Sequence, residues 1–235
     1  MQDIGEAFRL ALALVLSGDS DLLEIIVLSL RVSLSAMVFA SILGFSVGAL
    51  LAVTRFRGRN GVLIILNALM GLPPVVVGLL VYLHLSRAGP LGWLGLLYTP
   101  TAMIIAQTIL ITPIIAALSR QVLEDLYNEY AEQFRSLSVP RHVEMGAILW
   151  DARYSLLTVA LAGFGRAVAE VGAVIIVGGN IDHLTRVMTT AIALETSRGD
   201  LPLALALGFV LLAIALTVNG LVMAARLTAP RYGYA

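Results

Sequence analysis

Five apolar runs divide this chain of 235 residues: Leu22–Val53, Val62–Leu85, Pro100–Leu118, Tyr154–Val177 and Leu201–Met223. A hydrocarbon layer of about 30 Å takes roughly 20 apolar residues per helix, so each run can cross it. The runs are near-continuous and lack the short alternating segments of a membrane β-barrel. The helix is also the fold that satisfies every backbone group within one segment in lipid. The pattern predicts an all-α polytopic membrane protein, with five spanning helices in a domain over residues 22–235. Residues 1–21 form an outer segment. There Phe8, Leu12, Val15 and Leu16 lie near one helix face, preceded by Asp3 and Glu6 where a cleavable signal carries basic residues. A short interfacial helix is the better reading.

Polar positions carry as much information. Ser119–Arg153 separates the third and fourth runs, with apolar residues at 123, 126, 127, 130, 131, 134 and 137, the spacing of an amphipathic helix. Pro140 interrupts it, and Val143–Trp150 resumes helical character. Two short helices around a Ser138-Val139-Pro140 turn follow, displaying Glu132, Arg135 and Arg141. Their apolar face needs cover from the spans or from a soluble partner.

Breaks are expected elsewhere. The first run would be roughly 48 Å long as a helix, so it must tilt or project, with Glu24 and Arg31 in its outer part. Gly44 and Gly48, four apart, allow close helix contact. Gly71-Leu72-Pro73-Pro74 removes two backbone donors and predicts a kink, either ordinary bent packing or a hinge along a pathway. Pro113 predicts a second break. Val187–Ser197 is too short to cross and reads as an outer or re-entrant helix, capped by Thr185 and ended by Gly199.

Composition sharpens the picture. The chain is 59% hydrophobic and 13% charged, with no cysteine, which excludes disulfides and thiolate metal sites. Net charge is zero, so no basic tail steers nucleic acid. All fifteen strongly basic residues are arginine. If the runs alternate, Arg55, Arg57, Arg59, Arg120, Arg135, Arg141, Arg153, Arg226 and Arg231 share one side. The other side holds Arg9, Arg87, Arg186 and Arg198. The positive-inside rule then places the amino terminus outside, and Ser119–Arg153 and the carboxyl terminus in the cytoplasm. His84, His142 and His183 fall in different segments, so no metal site is read.

One pair of charges lies inside a span. Arg166 and Glu170, spaced i to i+4, share a helix face and can neutralise one another. Charges in the membrane usually face a bundle interior or a wet cavity. They form a structural bridge, or Arg166 attracts an anion while Glu170 tempers its field. Asn180, His183 and Arg186 fall near an outer vestibule.

The polar stretch resembles the coupling element of ABC importer permeases, Glu-Ala-Ala, three residues, Gly, nine residues, then Ile-x-Leu-Pro. Glu132, Ser138 and Ile148 keep that spacing. Gln133 and Phe134 replace the alanines, Ser138 the glycine, and Trp150-Asp151 the Leu-Pro. Gly71–Gly78 (GLPPVVVG) is similar to molybdate and tungstate permeases. The stretch from Ala162 to Gly199, above all EVGAVIIVGGNI, is closer still to the tungstate type.

The resemblance implies a type I importer permease in a prokaryotic inner membrane. It would be a homodimer docked to two cytoplasmic ATPase subunits that hold ATP and Mg, and fed by an external binding protein. The chain itself would bind no cofactor and hydrolyse nothing. Glu132, Gln133, Phe134, Arg135, Ser138, Pro140, Arg141 and Ile148 would couple to the ATPase. Pro73, Pro74, Arg166, Glu170, Asn180 and Arg186 are candidates for the pathway or its gate. Tungstate is the expected cargo. Molybdate, phosphate or sulfate, and a stand-alone secondary transporter, are the alternatives.

Overall fold

The computed structural model describes residues 4–228, and every regular element in them is helical: α1 Ile4–Ser17, α2 Ser20–Val53, α3 Arg59–Met70, α4 Pro74–Leu85, α5 Pro100–Ser136, α6 Arg141–Val168, α7 Gly172–Gly178, α8 Met188–Arg198 and α9 Leu201–Thr228, with a 3₁₀ turn at Gly92–Leu94. Arg231 lies outside the described residues. Among the described residues, four helices (α2, α5, α6, α9) are long and apolar enough to cross a membrane. α3 and α4 add a fifth span only if the pair, bent by 97°, is counted as one.

The bend follows from the two prolines. Pro73 and Pro74 start α4, where a missing N–H costs nothing, and Gly71 ends α3. Pro113, by contrast, does not break α5, which runs through it as one helix. The proline is buried there, and packing on both sides holds the helix across the lost bond.

The stretch 119–153 is not a loop with two short helices. α5 continues from the apolar run to Ser136, α6 begins at Arg141, and the two form one long helical hairpin. Polarity marked where the chain leaves the apolar layer, not where the helix stops. Glu, Gln, Arg and Leu all favour helix. The fourth run, Tyr154–Val177, is broken instead: α6 ends at Val168 and α7 restarts at Gly172. The short piece after it is helix α8, ended by Gly199 at φ 84° as expected. Its N-cap is Val187, because the Thr185 hydroxyl is spent inside the preceding loop on Gly178 O at 2.6 Å.

α2 and α5 form the centre of the bundle. Val32, Ala36, Ala40, Gly44 and Gly48 make a seam of small residues along α2. A Cβ on Gly48 would collide with Ser119 Oγ and lie 2.9 Å from Ala116 O, and one on Gly44 would lie 2.7 Å from Ile115 Cγ2. The glycine pair therefore serves contact within the chain. Gly48→Val is expected to destabilise the fold by about 1–3 kcal/mol through overpacking, read as a lower unfolding temperature in detergent. α1 packs on α9, with Phe8 and Phe209 rings 5.4 Å apart.

Arg59 reaches from the α2–α3 turn to Glu124 on α5 at 2.7 Å, which puts that turn and the hairpin at one end. Asp19, Asp182 and Asp200 line one hollow at the opposite end.

Candidate functional site

The break between α6 and α7 is the most heavily organised point in the chain. Interrupting a helix frees carbonyls at one end and amides at the other, and each must find a partner away from water. Gln107 on α5 donates its amide to Ala167 O at 3.0 Å, and Thr189 on α8 donates its hydroxyl to Glu170 O at 2.8 Å. Glu170 lies in the break. Its Oε1 accepts from Ala173 N at 3.2 Å, capping α7, and its Oε2 accepts from Arg166 Nη1 at 2.7 Å. The predicted pair thus exists, with a second duty: one carboxylate holds the arginine and starts the next helix.

Exposure divides the two roles. Glu170 is 4% exposed, while the Arg166 side chain is 39% exposed. Arg166 therefore keeps part of its side chain uncovered, with its field tempered by a buried anion. α4 meets this region backbone to backbone: a Cβ on Gly78 would lie 2.8 Å from Ala173 Cα, and one on Gly172 would lie 2.9 Å from Val75 Cγ2. The Pro73–Pro74 bend delivers α4 to that contact. A change in the bend would be felt at the break.

Asn180 and Arg186 do not bond to Arg166 or Glu170. Asn180, at φ 51°, donates to Thr190 O at 3.4 Å, and Arg186 pairs with Asp182 at 2.7 Å. Both shape the α7–α8 loop and reach the break only through α8. Nearby, His183 Nδ1 lies 2.8 Å from Glu24 Oε2, beside a hollow of about 300 Å³ rich in carboxylates. The hydrogen bond to Glu24, then the charges of Glu24 and Asp182, push the His183 imidazole above its ordinary value. The contact is therefore fully present below the unperturbed histidine range, and it is lost as pH rises through the raised value. Hydrogen exchange over residues 180–186 is expected to quicken across that rise, and His183→Gln to abolish the pH dependence.

The hairpin turn is a Schellman motif: Val139 N bonds Phe134 O at 3.1 Å and Ser138 N bonds Arg135 O at 3.2 Å. Ser138 sits there at φ 51°, the left-handed conformation that favours glycine. Pro140 then caps the start of α6. The arms close on each other through Leu123, Tyr127 and Phe134 from α5 and Ile148, Ala152 and Leu156 from α6, with Ala52 of α2 beneath. Tyr130 donates to Asp151 Oδ2 at 2.7 Å across the arms. The amphipathic face is thus covered by the chain itself as far as Phe134, and Leu137 is left exposed.

Glu132, Gln133, Arg135, Ser138, Pro140 and Arg141 remain exposed and Phe134 half-buried. Ile148 is fully buried between the arms, where it holds the hairpin in shape. Leu137 and Trp150 are 74% and 71% exposed, an apolar offering at the hairpin surface that the motif spacing did not single out.

Two features escaped the sequence reading. Gln107 is the lone amide in an apolar run, and that isolation is its only signal in the sequence. Arg120 and Glu124 share a helix face four residues apart, but the reach of Arg59 to Glu124, with Arg59 Nη2 also donating to Leu51 O at 3.0 Å, joins segments 65 residues apart and had no local signature.

No family model matches the chain. Curated relatives do. It is 40% identical to the tungstate uptake system permease protein TupB of Peptoclostridium acidaminophilum, over 94% of this chain and 97% of the relative. It is 39% identical to a probable anion ABC transporter permease protein of Haloferax volcanii, over 85% of this chain and 88% of the relative. A tungstate uptake permease of Campylobacter jejuni is 35% identical, over 92% of this chain and 90% of the relative.

Proposed function

The chain belongs to the tungstate-type permeases of ABC importers, and from that premise we propose how it works. It is the membrane-spanning permease subunit of an importer for tungstate. The hairpin end faces the cytoplasm and the α1 end faces outward, a reading supported by the arginines gathered at the hairpin end. Two copies enclose the route, and an external binding protein delivers the oxyanion at the α1 end. ATPase subunits receive the hairpin surface around Glu132, Arg135, Ser138 and Arg141. Hydrolysis belongs to those subunits.

The hairpin is the observation that carries this reading. Its arms are continuous with α5 and α6, so a push at Ser138 is transmitted along α6 to Arg166 without a flexible joint. At that level the tempered arginine offers a dianion a passing attraction, as conduction requires. A bent α4 and a broken α6–α7 supply the two places where the wall can move.

Cargo is the point to test. Proteoliposomes holding the permease, its ATPase and its binding protein should take up labelled tungstate on adding ATP inside. Excess sulfate should leave that uptake intact. Uptake of sulfate or phosphate in place of tungstate would sink the cargo assignment. A second reading, molybdate or another oxyanion, is favoured by a 27% identical molybdenum transport permease of Azotobacter vinelandii and by the Haloferax relative, which is named only as an anion permease.

A further inference from the structure

Polar side chains gather at one level of the bundle, behind the α6–α7 break. Ser29 and Ser33 of α2, Gln107 of α5, Thr189 of α8 and Glu170 of the break are all buried. Most of their bonds close within the group. Ser29 donates to Ile25 O and accepts from Met188 N at 2.7 Å, and Arg166 and Ala173 N share the Glu170 carboxylate. Two groups are left over. Gln107 Oε1 is buried without a hydrogen-bond partner, and the Ser33 hydroxyl makes no hydrogen bond among the described residues.

The orientation of Gln107 is forced. Ala167 O can only accept, so the amide nitrogen faces it, at 3.0 Å, and the oxygen turns away. Gln107 and Ser33, each 3% exposed, line a small internal cavity of about 10 Å³ together with Ser29, Glu170 and Thr189. That is room for one water molecule and nothing larger. An acceptor left bare at this depth finds no partner in lipid and is destabilising.

We propose that this cavity is a binding site for a single water, which donates to Gln107 Oε1 and accepts from Ser33 Oγ. Thr189 Oγ, whose own proton goes to Glu170 O, keeps lone pairs for the water's second proton. Three polar partners are the usual complement of a buried water. A metal cation fits less well. The carboxylate at the cavity is already paired with Arg166, and an unpartnered acceptor beside an unspent hydroxyl calls for a molecule that both donates and accepts. Bound there, the water fixes the Gln107 amide in the sense that caps Ala167 O, and it ties α2 to the end of α6. Ser33 is thus a positioning residue for the break, acting through the water and Gln107. The inference holds whatever the cargo.

Ser33→Val fills the cavity and removes the hydroxyl. In the assembled complex in nanodiscs it is expected to lower the unfolding temperature by about 2–4 °C, because Gln107 Oε1 is stranded. Gln107→Met loses the bond to Ala167 O but leaves no acceptor at the cavity. In that background Ser33→Val is expected to cost nothing further. Ser33→Ala, which cannot overpack, should show the same dependence on Gln107 with a smaller shift. Equal losses in both backgrounds would overturn the proposal. A map of the complex fine enough to show ordered water should place one peak about 2.7–3.2 Å from both Gln107 Oε1 and Ser33 Oγ. Direct contact of the two side chains with no peak between them would also overturn it. So would stabilisation by sodium over choline in the parent and not in Ser33→Val, which would mark a cation.

Discussion

Glu170→Ala is expected to cost about 2–4 kcal/mol of stability and to stop transport. The carboxylate is buried and serves two partners, so its removal leaves Ala173 N without a cap and Arg166 without its counter-ion. The arginine is more than a third exposed, so solvent recovers part of the ion-pair term and keeps the estimate below that for a wholly buried pair. Glu170→Gln separates the roles. Its amide oxygen can still accept from Ala173 N, so most stability should return while the charge does not. Arg166→Gln with Glu170→Gln should restore unfolding temperature near the parental value and still transport poorly. Transport unchanged in that double variant would make the pair a structural bridge and remove Arg166 from the route.

Glu132→Arg and Ser138→Trp are expected to release the ATPase without unfolding the spans. Both residues are exposed at the hairpin tip and neither contributes to the apolar seam that closes the arms. Reversing a charge inside a docked surface costs about 2–5 kcal/mol, so co-purification with the ATPase and stimulated ATP turnover should both collapse. Ser138→Gly is the control, since the left-handed position accepts glycine without strain and coupling should persist. Both variants keeping full ATP-driven transport would show that the hairpin tip is not the docking element.

How much of this was legible depended on whether the information was local. Apolar length announced the spans, and three-and-four spacing announced the hairpin's buried face. Two prolines announced the α3–α4 bend. Charge spacing found Arg166 and Glu170, because one helical turn brings them together wherever the helix ends. The misreadings came from equating polarity with helix ends, which cut α5 and α6 short at Ser119 and Arg153. Pro113 was assigned a break that packing prevents. The α6–α7 break went unforeseen because the residues that make it affordable, Gln107 and Thr189, come from other helices. The same reason hid the reach of Arg59 to Glu124 and the burial of Ile148.

The central claim is that this permease moves its cargo only when an ATPase engages the hairpin. Labelled tungstate uptake should be measured in proteoliposomes carrying the permease and binding protein, with and without the ATPase subunit, in the presence of ATP and with proton and sodium gradients collapsed. The account predicts uptake only when both ATPase and ATP are present, and none with Ser138→Trp. Uptake by the permease alone, driven by an ion gradient, would contradict it.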